Sequence, residues 1–136
     1  MLILFLAGCV SAPHINSSTD DDSNQTQEQV ELFTIKKDGS FQPDECKNRG
    51  LENKVIMFES KYCSHCATTL PVFQEACRSL GIEPAILDLT IEEDKELTKS
   101  YGLDIRYTPT FVFGCDYYVG VKTEENYLRL CELFLE

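Results

Sequence analysis

Two cysteines two residues apart, Cys63-Ser64-His65-Cys66, directly follow an apolar run, Lys54-Val55-Ile56-Met57-Phe58. Thiols at this spacing can close a small disulfide ring. If a helix begins with the second cysteine, the first lies at the helix N-terminus. Unpaired backbone N–H groups and the positive end of the macrodipole there favour a thiolate. A thiolate is the species that attacks disulfides, so the pattern predicts a redox-active dithiol.

Other uses of two cysteines must be weighed. A structural zinc site wants four closed ligands. The remaining donors, Cys46, Cys77, Cys115, Cys131, His65 and His14, contain no second CxxC or CxxH pair. A c-type haem site fails because Ala67 stands where a histidine must follow Cys66. Copper held by two cysteines and a histidine is chemically reasonable. That set would have to use His65 from inside the dipeptide, so His65 is read as a tuner of the thiols rather than a ligand. No metal or organic cofactor is expected.

Of the 136 residues, 43% are hydrophobic, enough for one domain with a real core. A net charge of −11 argues against a nucleic-acid partner, which needs a basic footprint. The start of the chain differs from the rest. Met1-Leu-Ile-Leu-Phe-Leu-Ala-Gly-Cys9 is an apolar run ending in small residues before a cysteine. Leu6-Ala7-Gly8-Cys9 resembles the lipobox of prokaryotic lipoproteins, in which the cysteine is lipidated after cleavage. The segment lacks a positive n-region and its apolar run is short. Ser11 to Gln29 is polar, with too few large apolar residues to bury a core, and suits a tether. The expected organisation is a signal-like segment at 1–9, a polar linker at 10–29 and a domain at 30–136. The expected setting is membrane-anchored and outside the cytoplasm; the alternative is a cytoplasmic protein with an incidental Cys9.

Within the domain, periodicity predicts the elements that position the cysteines. Val30–Ile35 reads as a strand ended by a Lys37-Asp38-Gly39 turn, and Pro43–Asn48 as a short helix before Gly50. Lys54–Glu59 reads as a strand buried on both faces. Cys66–Leu80 places Leu70, Phe73, Cys77 and Leu80 on one helical face, with Gly81 capping its end. Pro84–Thr90 is a strand, Glu92–Tyr101 a charged helix, and Thr110–Phe113 with Tyr117–Val121 a hairpin in which one of Tyr117 and Tyr118 faces the core. Thr123 caps a last helix carrying Tyr127, Leu128, Cys131 and Phe134 at amphipathic spacing. The order β-α-β-α-β-α-β-β-α implies an α/β fold, a central mixed sheet with helices on both faces.

Three spaced signals between Val30 and Glu136 form one pattern that resembles the thioredoxin superfamily. They are Tyr62-Cys63-x-x-Cys66 between strand and helix, Pro71 five residues on, and Arg106-Tyr107-Thr108-Pro109-Thr110-Phe111 entering the hairpin. The resemblance implies a thioredoxin-like fold and a protein-disulfide oxidoreductase. Cys63 would be the nucleophile and Cys66 the resolving thiol. Thr108 and Pro109, in a cis-proline loop, would hold an extended substrate. Tyr62 would be the aromatic that precedes the nucleophile. The implied partners are cysteine-containing protein substrates and a redox-partner protein, met by a monomer.

Two departures from the superfamily pattern stand out. Met57 occupies the place of the usual buried acid, and Glu59, two residues nearer on the same strand face, could substitute as a proton relay. Ser64-His65 replaces Gly-Pro. An imidazole beside Cys63 stabilises the thiolate, raises the reduction potential and leans the couple toward oxidation or isomerisation. A thioredoxin-like copper metallochaperone and an adaptor with an inert dithiol are the rival functions. Cys77 and Cys131 read as small buried hydrophobes that a disulfide could join, and Cys46 and Cys115 as a pair or as free thiols.

Overall fold

A computed structural model describes residues 30–136, so Cys9 and the segments 1–9 and 10–29 lie outside the described residues. The apolar run becomes β3 (Val55–Glu59), whose first four residues are all buried. It is buried because both its edges and both its faces are covered. β6 (Thr110–Phe113) pairs with it antiparallel, Val55 opposite Phe113, and β4 (Ala85–Asp88) pairs with it parallel, Ile56 opposite Ala85. Side chains alternate across this strand. Val55 and Met57 enter one core with Cys66, Phe73, Phe111, Tyr127 and Cys131. Ile56 and Phe58 enter a second core with Ile35, Cys46, Leu51 and Leu103.

The hairpin partner of β6 is β7 (Asp116–Val119), reached through the two residues Gly114 and Cys115. Gly114 has a φ of 62°, as twist-compatible two-residue turns require at the first loop position. β2 (Gly39–Ser40) adds the outer edge against β7, giving the order β2-β7-β6-β3-β4. Gly39 therefore belongs to a strand rather than to the expected turn. The cross-strand approach demands a glycine, since a Cβ there would lie 2.6 Å from the Tyr117 hydroxyl oxygen. Local composition reads this residue as a turn because the constraint comes from a partner far along the chain.

A second short sheet pairs β1 (Phe33–Ile35) in parallel with β5 (Leu103–Ile105). β5 has only three residues, and periodicity does not reveal it. The tyrosine pair also departs from expectation. Tyr117 packs in the second core as anticipated, but Tyr118 is half-buried against the first, with its ring 6.0 Å from that of Phe113. Helices cover both faces of the sheet, so neither side of β7 is simply surface.

The helices follow their sequence signals closely. Pro43 opens α1 (Pro43–Arg49), and Gly50 ends it in the left-handed region at φ 75°. α2 (Ser64–Ser79) begins two residues before the expected start, because Cys63 itself is the N-cap. Glu92, Glu93 and Asp94 occupy the first turn of α3 (Glu92–Ser100), where the dipole favours acids. Thr123 Oγ1 accepts the Asn126 N–H at 3.2 Å to start α4 (Glu124–Leu135). α2 and α4 pack together over the first core, while α1 joins the second through Cys46. Among the described residues no helix is long and apolar enough to cross a membrane.

Two long-range ties hold the second core. Cys46 in α1 forms a disulfide with Cys115 in the β6–β7 turn, across a sequence separation of 69. Arg49, with 3% of its side chain exposed, donates to the carbonyls of Glu31 at 2.9 Å, Tyr101 at 3.1 Å and Gly102 at 2.8 Å. Its guanidinium also pairs with Glu45 at 2.8 Å and lies 4.9 Å from the Phe41 ring centre. One side chain thus serves the approach to β1, the end of α3 and the aromatic packing. Replacing Arg49 by Met takes the side-chain donor from three carbonyls, of which Gly102 keeps the Phe33 N–H. The expected loss is about 3 kcal/mol in urea unfolding. Glu45→Gln removes only a half-exposed partner and should cost less than about 1 kcal/mol.

Candidate active site

The site lies where β3 ends and α2 begins. The Cys63 N–H donates to the Ser60 carbonyl at 2.9 Å, and the Tyr62 N–H to the Ser60 hydroxyl at 3.2 Å. This tight turn brings the chain off the sheet and leaves Cys63 in an extended conformation, φ −93° and ψ 102°, at the N-cap. The Cys63 carbonyl then accepts the first helical bond, from the Ala67 N–H at 3.2 Å. Sequence reading did not single out Ser60. Its signal is the ordinary preference of serine for turns that bond nearby backbone.

Cys63 and Cys66 are joined as a disulfide, with Cα atoms 5.2 Å apart. The two sulfurs have unequal surroundings. Cys66 is 1% exposed and packs in the first core beside Met57 and Phe73. Cys63 is only partly buried, and its sulfur accepts the Cys66 N–H at 3.2 Å. That bond, with the start of the α2 dipole, favours negative charge on Cys63 once the disulfide opens. An incoming group can reach Cys63; Cys66 waits behind it.

Opposite the pair is the loop before β6. Thr108–Pro109 is a cis peptide, and the Thr108 carbonyl oxygen lies 3.5 Å from the Cys63 sulfur. Pro109 is buried, and its carbonyl accepts the Gly120 N–H at 2.8 Å. The Thr110 hydroxyl donates to the Tyr107 carbonyl at 2.6 Å, so the loop is braced at both ends. Residues 45 apart in sequence thus meet at the dithiol. Tyr62, before Cys63, and Tyr107, in the proline loop, stand out from the surface, 80% and 55% exposed. His65 is exposed on the first turn of α2. Pro71 sits inside α2 and removes one helical donor there.

Met57 is fully buried, so no carboxylate occupies that place beneath the cysteines. Glu59 is half-buried one pleat further along. Burial pushes its carboxyl above the usual range, and the nearby carboxylates of Asp88 and Asp94 push it the same way. Asp88 itself is held below the usual range, first by the Thr90 hydroxyl and then by the Thr90 N–H. The groups that govern Glu59 thus belong to β4 and α3. Among the described residues, no three His, Cys, Asp or Glu side chains converge as a metal site.

The chain is similar to known proteins. A curated relative, Thioredoxin H4-2 of Oryza sativa subsp. japonica, is 30% identical over 86 residues, covering 62% of this chain. The chain spans 61% of that relative's length. Two solved structures are also similar. A mutant thioredoxin from Halobacterium salinarum NRC-1 has a TM-score of 0.49 at 23% identity, covering 79% of this chain and 94% of its own. The pneumococcal exposed lipoprotein thioredoxin Etrx1 from Streptococcus pneumoniae strain TIGR4 has a TM-score of 0.39 at 17% identity, covering 62% and 87%. No family model matches the chain.

The raised carboxyl of Glu59 makes a pH prediction. A carboxyl harder to ionise folded than unfolded costs stability once pH rises through the ordinary carboxylate range and then through its folded value. Below that range both states are protonated and the cost vanishes. Glu59→Gln should therefore be more stable than the parent at pH 7 and equal to it near pH 3, as measured by urea midpoints. A variant less stable at pH 7 would show that the carboxylate has a favourable partner.

Proposed function

We propose that the chain is a thiol–disulfide oxidoreductase of the thioredoxin superfamily acting on cysteine-bearing proteins, a reading supported by the relative 30% identical over 86 residues. One observation carries the reading. A partly exposed Cys63 sulfur, bonded by a helix N-terminal N–H, is paired with a buried Cys66 and faces the Thr108 carbonyl.

Each participant then has a role. In the reducing direction the Cys63 thiolate attacks one sulfur of a substrate disulfide, and the other substrate sulfur leaves as a thiolate. Cys66, deprotonated, attacks the Cys63 sulfur of the mixed disulfide. The substrate departs with two thiols and Cys63–Cys66 is oxidised. The same steps run backwards to oxidise a substrate dithiol. Thr108 and Pro109 present backbone to an extended substrate segment beside Cys63, with Tyr62 beside the nucleophile. His65 adds to the stability of the thiolate whenever it is protonated, which favours the oxidising direction. The reaction requires no metal or organic cofactor, only a redox partner to restore the pair.

The expected result is loss of insulin reduction and of oxidative-refolding activity in Cys63→Ala. Cys66→Ala should accumulate a mixed disulfide with substrate, visible as a mass adduct that dithiothreitol removes. Full activity in Cys63→Ala would sink the assignment.

Tethering outside the cytoplasm is part of the same proposal. It is supported by the Leu6-Ala7-Gly8-Cys9 pattern, by the polar 10–29 segment, and by the Cys46–Cys115 disulfide far from the reacting pair. A structural disulfide is at home in an oxidising compartment. In a bacterial host, the full chain should partition to the membrane fraction and take up radiolabelled palmitate, and Cys9→Ala should do neither. Equal label in both would refute the anchor.

A further inference from the structure

Cys77 and Cys131, buried in the first core, take no part in the proposed chemistry. Cys77 sits in the last third of α2 and Cys131 in the second half of α4, and neither has any exposed surface. Their sulfurs are 3.2 Å apart and share a hydrogen bond, with both cysteines as free thiols. Cysteines that merely filled space would face carbon, as small buried hydrophobes do. Here the polar partner of each sulfur is the other. The same two helices are tied again where Thr69 Oγ1 and the Tyr127 hydroxyl share a 2.6 Å bond, so the facing positions of Cys77 and Cys131 are braced. A disulfide needs sulfurs about 2.05 Å apart, so closure requires a movement of only about 1 Å.

We propose that Cys77 and Cys131 are a second dithiol–disulfide couple, which closes to a covalent link between α2 and α4. The oxidant is a low-molecular-weight disulfide such as oxidised glutathione. Cys66 and Cys77 are eleven residues apart on one helix, about 16 Å along its axis, so the two pairs of one chain do not exchange directly. Access comes from local opening of α4, whose last turn carries the exposed Leu133 and Leu135.

Either sulfur can donate in the shared bond. With Cys77 as donor, the bond favours charge on Cys131, while that bond and then burial raise the Cys77 thiol. The Cys131 thiolate attacks the small disulfide RSSR, forming Cys131–S–S–R and releasing RS⁻. Cys77, losing its proton, attacks the Cys131 sulfur and expels the second RS⁻. Two thiols have lost two electrons and two protons, and RSSR has become two RSH.

The test uses the full chain, equilibrated with oxidised and reduced glutathione at varied ratio and quenched with acid. The protein is then unfolded in guanidinium with N-ethylmaleimide, and its peptides are mapped by mass. As the ratio becomes oxidising, the Cys77 and Cys131 peptides should pass from two maleimide adducts to one cross-linked species lacking both. The linked protein should melt at least about 5 °C higher, because the bridge closes a long loop in the unfolded chain. Cys63→Ser/Cys66→Ser should give the same link and the same rise, which separates this couple from the proposed active site. Cys131→Ala should show neither. Should Cys131→Ala fail to fold, the ratio series on the parent and on the double-serine variant decides the matter alone. Recovery of both cysteines as maleimide adducts at the most oxidising ratio overturns the proposal. Separate glutathione adducts without a link overturn it too.

Discussion

The hydrogen bond from the Cys66 N–H to the Cys63 sulfur belongs to both the fold and the chemistry. In the fold it is a helix cap, satisfying one of the four N-terminal donors that α2 leaves unpaired. In the chemistry it is the donor that meets a developing charge on sulfur. Because one contact has both roles, the helix cannot start elsewhere without moving Cys63. The strand before it is equally constrained. β3 must end where Ser60 turns the chain, and its register with β6 then decides which backbone faces Cys63.

That register follows from burial on both faces. A slip of one residue would send Val55 and Met57 into the second core and Ile56 and Phe58 into the first. The first core closes around the rings of Phe73, Phe111 and Tyr127, with centres 4.9 to 5.5 Å apart. Phe73 is on α2, Phe111 on the strand after the cis-proline loop, and Tyr127 on α4. Their packing joins the helix that carries the dithiol to the strand that follows Thr108. On the other face, the Cys46–Cys115 bridge and the carbonyls gathered by Arg49 hold the far side of the sheet while the near side presents the site.

The departures from the usual superfamily pattern form a consistent set. With Met57 in the core, the space beneath Cys66 is apolar and holds no carboxylate. Burial does most to raise the Glu59 carboxyl, and the charge of Asp88, set opposite it by strand pairing, adds to the effect along with Asp94. His65 and Tyr62, both exposed, put a polar and an aromatic side chain on the surface beside Cys63.

Much of this was legible in the linear chain, for local physical reasons. CxxC before a helix, Pro43 at a helix start, Gly50 and Gly81 past helix ends, and the alternation of Val55 to Phe58 all state constraints satisfied within a few residues. The order of strands and helices implied an α/β fold, and the resemblance carried by Cys63, Pro71 and Pro109 implied which one. Contacts between distant segments were not legible. Gly39 became a strand residue because Tyr117 lies across from it, and β5 formed because β1 offered it a partner. Tyr118 was covered because helices lie on both sides. The sequence left the pairing of Cys46 with Cys115 and the meeting of Cys77 with Cys131 as open alternatives, and the approach of Thr108 to Cys63 came only through the resemblance, because each depends on how the sheet and helices assemble. Residue types and their spacing were enough to say which groups could do chemistry and where helices would begin. Which of those groups meet was a matter for the assembled fold, because distance in space is set by packing across the whole core and not by separation along the chain.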